Sequence, residues 1–511
     1  MPLARRLRLD DVVTSFPELG PTVPDGGYAW IVLYGVFLVQ MTIPSLLSMY
    51  GIVLGYINEN EANDFDVWSE EIILAPILFT AFSNLADPWT RMIVIMASVP
   101  RLIGIIGVFL LAVGIIATGY LATGGVGAYL ASSSAGAVMG VGASFVMLLS
   151  EYVLRKNFRK KLALALTLKN IGASFGLVLI PTVTNVLLHE VKLKSGLLLM
   201  TIVLMPTALG ILLFRLPTPQ EISSPYSLLL STEEDNELPI RISPDIPEST
   251  HHSNGQNNFE NPEYAEVEGR THIGGLYSEG NNIYAYENPN EDVDLFVNPI
   301  VHSDSKWKHQ LRPLRTFRFW GVVVGWVGVK VSALFFWILL PVLFYGVANH
   351  SYGWISLSTL AGFLTFFPSV SSIKVLQMTT QTRRLYFGLS SWLCSVALIG
   401  LNYATNYSWI IIYTILGGIS IGSLSSCQDL PLYDILGAET VRCVHKGFYS
   451  IVGLCILFFC FVHSVDFCLN FTALLLFIGG FYWILSPVVS LIKDSRYTHS
   501  HAIHRTSRGE T

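Results

Sequence analysis

The sequence predicts an all-α membrane protein whose twelve transmembrane helices form two six-helix halves. The chain is 52% hydrophobic and only 13% charged, with a mean hydropathy of +0.52, which is too apolar for an ordinary soluble protein. Many of its apolar runs reach the length of about 20 helical residues that a hydrocarbon core about 30 Å thick requires. A long polar stretch separates the runs into two sets. We therefore expect the lipid bilayer to surround the chain, and we expect no nucleic acid partner.

The apolar runs fall into two groups of six. In the first half we expect helices at residues 28–57, 68–86, 102–122, 124–153, 162–188 and 197–216. In the second half we expect them at residues 317–347, 354–377, 385–404, 408–436, 445–466 and 471–492. Between Asp87 and Arg101 the assignment is open, because the run from Met92 to Val99 fits an extension of either neighbour or a segment along the interface. The resulting domains are a cytosolic N-terminal segment (1–23), a first half (24–216), a loop (217–315), a second half (316–492) and a cytosolic tail (493–511).

Basic residues indicate that both termini lie in the cytosol, because Lys and Arg accumulate in short cytosolic loops. With that orientation the cytosolic connections contain three basic clusters: Arg155, Lys156, Arg159, Lys160 and Lys161; Lys374, Arg383 and Arg384; Arg442 and Lys446. The only basic residues in the predicted outer loops are Lys192 and Lys194. Glycosylation sequons at Asn349, Asn406 and Asn470 fall on the outer side, and chance sequons that are never used are the alternative. We expect a multi-pass plasma-membrane glycoprotein.

Matched stripes of small residues indicate an internal duplication. The fourth helix has small residues at every fourth position, and so does the tenth, its equivalent in a six-plus-six repeat: Ser132, Gly136, Gly140 and Ser144; Thr414, Gly418, Gly422 and Ser426. Small residues in one stripe let a neighbouring helix approach closely. Repeated halves around a central site are typical of secondary transporters.

The polar loop at residues 217–315 contains 17 of the 36 acidic residues of the chain and no sustained apolar period. Such a composition predicts a disordered cytosolic segment. Within it, the run from Asn261 to Tyr264 (Asn-Pro-Glu-Tyr) is similar to a tyrosine-based adaptor-docking signal. A chance match is the alternative for so short a pattern.

The sequence offers no constellation for catalysis, for a cofactor or for a metal. The six cysteines lie mostly inside apolar runs without the spacing of metal ligands, so packing is their expected role. His499, His501 and His504 are best explained as a solvated tail. Because neither a Ser-His-Asp set nor a phosphate-binding loop is evident, we expect a protein that is not an enzyme.

The start of the first helix resembles a known signature. The run from Pro24 to Trp30, which contains Asp25, Gly26 and Gly27, is similar to the sequence that opens the first helix of monocarboxylate transporters, a branch of the major facilitator superfamily. The aromatic-basic stretch at residues 152–163 and the Gly-rich helix that follows it also resemble that family. Leu85-Ala86-Asp87 with Arg91 is similar to the superfamily's loop between helices two and three. The resemblance implies a divergent member with a major facilitator bundle of twelve helices that moves small organic solutes through alternating access, by symport in relatives of this kind.

Two departures from the family pattern concern its charged residues. The proton-coupled members place a Lys deep in the first helix, where this chain has Ser48. They use an Asp and Arg pair in the eighth helix, where this chain has an uncharged sequence from Phe363 to Ser369. We therefore expect transport that is not strictly driven by protons, as in family members that carry aromatic amino acids or other organic solutes.

Two lysines are the candidate contacts for an anionic or zwitterionic solute. A cation near the bilayer centre is unfavourable by about 2.5 to 3.5 kcal/mol, so it usually faces a cavity. Lys330 lies mid-way along the seventh helix, and Lys169 lies eight residues beyond Lys161 in the fifth. The alternatives are a structural hydrogen bond or ion pair for Lys330, for example with Asp429, and snorkelling to the cytosolic surface for Lys169. Ser48 and Tyr50 in the first helix complete the predicted substrate-binding set.

The favoured function is secondary transport of monocarboxylates or related organic anions and amino-acid-like solutes. A non-transporting scaffold, sensor or ancillary subunit is the alternative, and the missing charges favour it. A small organic solute is the expected ligand, and a single-span ancillary subunit is a further candidate partner.

Overall fold

The computed structural model describes residues 26–60, 70–97, 99–121, 126–158, 161–190, 200–216, 317–345, 353–427, 438–462 and 464–485, together with residues 432, 434 and 436. All of them belong to one of two compact units of the chain. The predictions for Asp25, for the adaptor signal from Asn261 to Tyr264 and for Asp429 lie outside the described residues.

The described residues of the first half form eight helical segments and a short 3₁₀ turn. The helices are α1 (Tyr28–Thr42), α2 (Leu46–Asn60), α3 (Glu70–Leu85), α4 (Asp87–Met96), α5 (Pro100–Leu121), α6 (Val126–Asn157), α7 (Leu162–Glu190) and α8 (Met205–Leu212). The 3₁₀ turn Met200–Leu204 leads directly into α8.

In the second half the described residues form seven helices. They are α9 (Phe317–Tyr345), α10 (Gly353–Leu364), α11 (Phe366–Gln377), α12 (Thr380–Tyr403), α13 (Tyr407–Ser426), α14 (Ala438–Leu457) and α15 (Val465–Leu485), with a 3₁₀ turn at Phe458–Phe461 after α14. Within the described ranges, nine helices are long and apolar enough to cross a membrane, and three shorter apolar helices occupy the remaining predicted spans. The all-α membrane fold is confirmed, and twelve spans are consistent with it.

Two predicted segments are interrupted, and the open stretch between Asp87 and Arg101 is resolved. The first segment is interrupted at residues 43–45 and the eighth at Thr365. A proline contributes to both interruptions, because Pro44 and Pro368 each lack the N–H that would bond to the carbonyl four residues earlier. The segment between Asp87 and Arg101 is a separate helix, α4, which extends neither neighbour. Its face of Asp87, Thr90, Arg91 and Val94 is buried, whereas Trp89 and Met96 are exposed.

The two predicted stripes of small residues are packing surfaces for equivalent helices. In the first half, Gly140 of α6 lies so close to α3 that an added Cβ would come within 2.5 Å of the Phe79 carbonyl. In the second half, a Cβ on Gly418 of α13 would come within 2.9 Å of the Ala361 carbonyl of α10. The fourth predicted segment (α6) therefore packs on the second (α3), just as the tenth (α13) packs on the eighth (α10).

The halves meet mainly through four pairs of helices. Helix α2 packs against α9, α3 packs against α14, and α7 packs against α10 and α11. Gly51 is at the centre of the first contact, where it meets the Trp337 and Ile338 backbone. These contacts place the central part of α9 in the interior of the bundle.

Candidate functional site

Lys330 lies in the middle of α9, inside the bundle. Its side chain is partly accessible, although Val327, Val331 and Leu334 on the adjoining turns are buried. A lipid-facing stripe would leave these neighbours exposed as well, so the accessible surface of Lys330 belongs to the interior. The Lys330 Nζ lies 6.0 Å from the centroid of the Trp326 ring, one turn away.

Trp326 lies between Lys330 and α14, the eleventh predicted segment. Its indole ring is fully buried and packs edge-on against Phe448 and Tyr449 of α14, with centroid distances of 5.8 Å and 6.3 Å. The Trp326 Nε1 has no hydrogen-bond partner among the described residues. The cation therefore lies over an aromatic cluster that includes an unused N–H donor.

Ser48 and Tyr50 both lie on α2, and both are buried. The Tyr50 hydroxyl donates a hydrogen bond to the Met139 sulfur of α6 at 3.3 Å. The Ser48 hydroxyl has no partner in the described part of the chain. Tyr50 thus faces the fourth segment, whereas Ser48 keeps its hydrogen-bonding capacity.

Lys169 has a different environment from Lys330. Its ammonium lies 2.6 Å from the Glu151 carboxylate of α6, and both side chains are largely buried. The ammonium therefore points to the adjacent helix, which favours an ion pair over the snorkelling alternative for Lys169. Glu151 was absent from the predicted set, although a single carboxylate in the otherwise apolar fourth segment was a signal that could have found it.

A second charged group lies on α4. Arg91 pairs with Asp87 one turn earlier, with 3.4 Å between the Nη2 and Oδ2 atoms. Burial disfavours the charged guanidinium, but the Asp87 carboxylate outweighs that effect and raises the pKa of Arg91 above its ordinary value. Tyr449 of α14 acts in the same direction. Thr90 of the same helix bonds to Ser144 of α6 at 2.8 Å.

Hydroxyl groups join α7 to α11. Ser174 and Ser369 are 2.8 Å apart, and Thr167 and Ser372 are 3.1 Å apart, measured between hydroxyl oxygens. Asn170 of α7 donates to the Ser426 carbonyl of α13 at 2.8 Å. The sequence did not predict the hydroxyl contacts between α7 and α11, because they join residues that are some 200 positions apart in the chain. The uncharged stretch of the eighth segment is therefore a contact between the two halves.

The signature residues lie at the start of the first segment. Gly27 has a φ of 58°, in the left-handed region that favours glycine. Trp30 packs edge-on against Phe158 at 5.5 Å, and the Lys161 ammonium lies over the Trp30 ring. Tyr28 donates to the Leu213 carbonyl at 3.2 Å. Tyr28 and Trp30 therefore hold the start of α1 against the end of α8 and against the α6–α7 connection, and none of these contacts involves Lys330.

The family model that matches this chain is described as the Major Facilitator Superfamily and covers residues 29–430. The chain belongs to the Major Facilitator Superfamily. No curated protein matches the chain at a significant level. The helix pairs of the two halves are therefore those of a superfamily whose members are transporters.

Solved structures of major facilitators have the same fold. The proton:xylose symporter XylE bound to 6-bromo-6-deoxy-D-glucose is 9% identical, with a TM-score of 0.58, and the match covers 91% of this chain and 95% of that one. XylE from E. coli in a partially occluded inward-open conformation is 9% identical with a TM-score of 0.54, over 91% and 97% of the two chains. The peptide transporter POT in complex with sulfate is 12% identical with a TM-score of 0.51, over 92% and 97%. Such identities establish the fold and leave the solute open.

Membership of the Major Facilitator Superfamily supports secondary transport and a multi-pass location in a membrane. It points to a transporter and not to an enzyme. In a major facilitator the solute lies between the two halves, which is where α2 and α9 meet in this chain.

Proposed function

We propose that this major facilitator is a secondary transporter of monocarboxylates, or of related organic anions and amino-acid-like solutes, that works by alternating access at the plasma membrane. The observation that carries the proposal is the accessible surface of Lys330 in the interior of the bundle, on the helix that joins the two halves. The residues at the start of α1 that resemble the monocarboxylate transporter signature support the same branch.

The positive charge of Lys330 supports an anionic or zwitterionic solute. A lysine within the membrane is unfavourable unless it is hydrated or meets an acceptor, and a solute carboxylate is an acceptor that leaves again at each cycle. Lys169 is less suited to this role, because its ammonium is largely buried against Glu151. Lys330 keeps accessible surface in the interior and is therefore the first residue to test.

A non-transporting scaffold or ancillary subunit is the second candidate. Ser48 and the uncharged contact between α7 and α11 favour it, because they lack the charges that proton-coupled relatives use. A single-span partner or a docked adaptor fits this function as well as the first.

Uptake into proteoliposomes that contain the purified full chain separates the two functions. We expect uptake of labelled L-lactate, pyruvate or L-phenylalanine, and none of the uncharged lactamide. Lys330→Ala should reduce uptake at least about tenfold, which corresponds to about 1.4 kcal/mol of lost binding. Lys330→Arg keeps the charge but changes the donor geometry, so partial uptake is expected. Uptake by none of the three solutes would favour the scaffold, and normal uptake by Lys330→Ala would exclude Lys330.

A further inference from the structure

We infer that the carboxylate of the solute binds between Lys330 and the N-terminus of α2, where the interrupted first segment presents free backbone N–H groups inside the bundle. The inference rests on the proposed function and assigns the anion subsite of that transporter. It adds the Leu47 and Ser48 backbone to the site.

The interruption leaves the first turn of α2 without acceptors. Leu46 bonds back to the Ile43 carbonyl and Met49 to the Ser45 carbonyl. For the N–H groups of Leu47 and Ser48, between them, the described residues provide no backbone acceptor. The Ser45 hydroxyl, at the capping position, donates to the Met41 carbonyl at 2.7 Å, and among the described residues it accepts no hydrogen bond from an N–H of this turn. Free N–H groups and the helix dipole together attract an anion.

Ser48 provides an independent sign of a ligand. Its side chain is fully buried, and its hydroxyl has no partner within the described residues. Side chains of a helix point back toward its N-terminus, so a hydroxyl on the third residue of α2 lies over the first turn. A buried hydroxyl without a partner is unfavourable by about 1–3 kcal/mol. A bound anion would satisfy this hydroxyl together with the two N–H groups.

Helix register brings Lys330 to the same depth. Gly51 of α2 meets Trp337 of α9. These helices belong to the first and seventh spans, which are six membrane crossings apart along the chain, so they run in the same direction. Lys330 is seven residues before Trp337 on the continuous helix α9, which is two helical turns and about 10 Å, so it keeps the face that makes the Gly51 contact. The start of α2 at Leu46 is five residues, or about 7.5 Å, before Gly51. Lys330 therefore lies across from the interruption.

Accessibility and packing leave room at this depth. Pro44, Leu47, Lys330 and Ala333 are partly accessible, although most positions around them are buried. Helix α9 packs against α2 but has at most slight contact with α1, so the two segments diverge below the interruption. The ammonium and the end of α2 thus face a common space.

A charge placed at Ser48 tests the subsite. Ser48→Asp adds a carboxylate over the first turn of α2, where it competes with the solute, whereas Ser48→Asn adds the same bulk without charge. In proteoliposomes with labelled pyruvate and L-lactate, we expect Ser48→Asp to lose uptake about tenfold more than Ser48→Asn, as expected for loss of an anion site. Ser464→Asp, which adds a carboxylate at the exposed start of α15, is the matched control and should keep wild-type uptake.

A relocated cation tests the subsite even where Ser48→Asp fails to fold. The double variant Ser48→Lys with Lys330→Ala should recover uptake about tenfold over Lys330→Ala alone, because both cations border the same space. Ser48→Gln with Lys330→Ala should recover none. Equal uptake by the Asp and Asn variants, or no recovery by the relocated lysine, would overturn the subsite while wild-type uptake upholds the transporter. Absence of wild-type uptake would overturn both.

Discussion

Lys169 and Lys330 illustrate how the neighbouring helix decides what a lysine in a membrane protein does. Both are predicted from sequence as cations in apolar segments, and both lie in the interior. Lys169 bonds to Glu151 of the adjacent α6, whereas Lys330 lies over Trp326 and borders accessible space. Sequence spacing does not give the rotation of one helix relative to the next, so the sequence shows Glu151 as a single carboxylate in its segment but not that it meets Lys169.

The Lys169 pair yields a prediction about stability. Glu151→Gln leaves the Lys169 ammonium without its carboxylate in a largely buried position, which should lower the free energy of unfolding by about 3 kcal/mol. Thermal unfolding of the purified protein in detergent measures the change. Replacing both residues, Glu151→Gln with Lys169→Met, should recover part of the loss because no unpaired charge remains.

Glu190→Gln is the control for the Glu151 prediction, since Glu190 is exposed at the end of α7. It should leave the unfolding temperature unchanged. Equal stability of Glu151→Gln and the wild type would show that the pair contributes nothing to the fold.

At the scale of helices, apolar length and small-residue spacing predict most of the architecture. The stripe through Gly136 and Gly140 does contact α3, as close packing by small residues requires. The interruption at residues 43–45 was not predicted, although Pro44 was visible, because prolines inside α3, α7 and α9 leave those helices continuous. The first segment differs from these helices in its tertiary contacts, because Gly176 of α7 packs directly on the Met41 carbonyl and the Ser45 hydroxyl.

Gly51 yields a prediction about the contact between α2 and α9. A Cβ at this position would collide with the Trp337 carbonyl, so Gly51→Val should force the two helices apart by overpacking worth about 1–3 kcal/mol. We expect reduced uptake from a protein that still folds, because the contact joins the halves and lies outside the core of each one. Uptake and size-exclusion profiles measure the two effects.

Gly447→Val is the matched control, because no atom lies within 4 Å of a Cβ built at Gly447 of α14. It should transport as the wild type does. If Gly51→Val also transports normally, the close approach of α2 and α9 is not needed in the cycle.

At the scale of the whole molecule, two six-helix halves meet mainly along four helix pairs, and the candidate site lies in one of them. Composition and repeat pattern predicted the two halves, and the superfamily match over residues 29–430 agrees with a bundle of this kind. The site was only partly predictable: Lys330 and Ser48 were named, but the free end of α2 that joins them depends on an interruption seen only in three dimensions. The cytosolic placement of the termini and of residues 217–315 stays a prediction.

Counterflow in proteoliposomes tests most directly the claim that this chain carries carboxylates by alternating access. Vesicles are loaded with unlabelled pyruvate and diluted into a trace of labelled pyruvate, with empty vesicles and Lys330→Ala as controls. The account predicts a transient accumulation of label above its equilibrium level in wild-type vesicles, because a carrier that releases internal pyruvate returns with labelled pyruvate. A label that never exceeds the level in empty vesicles, from a protein that is folded and inserted, would contradict it.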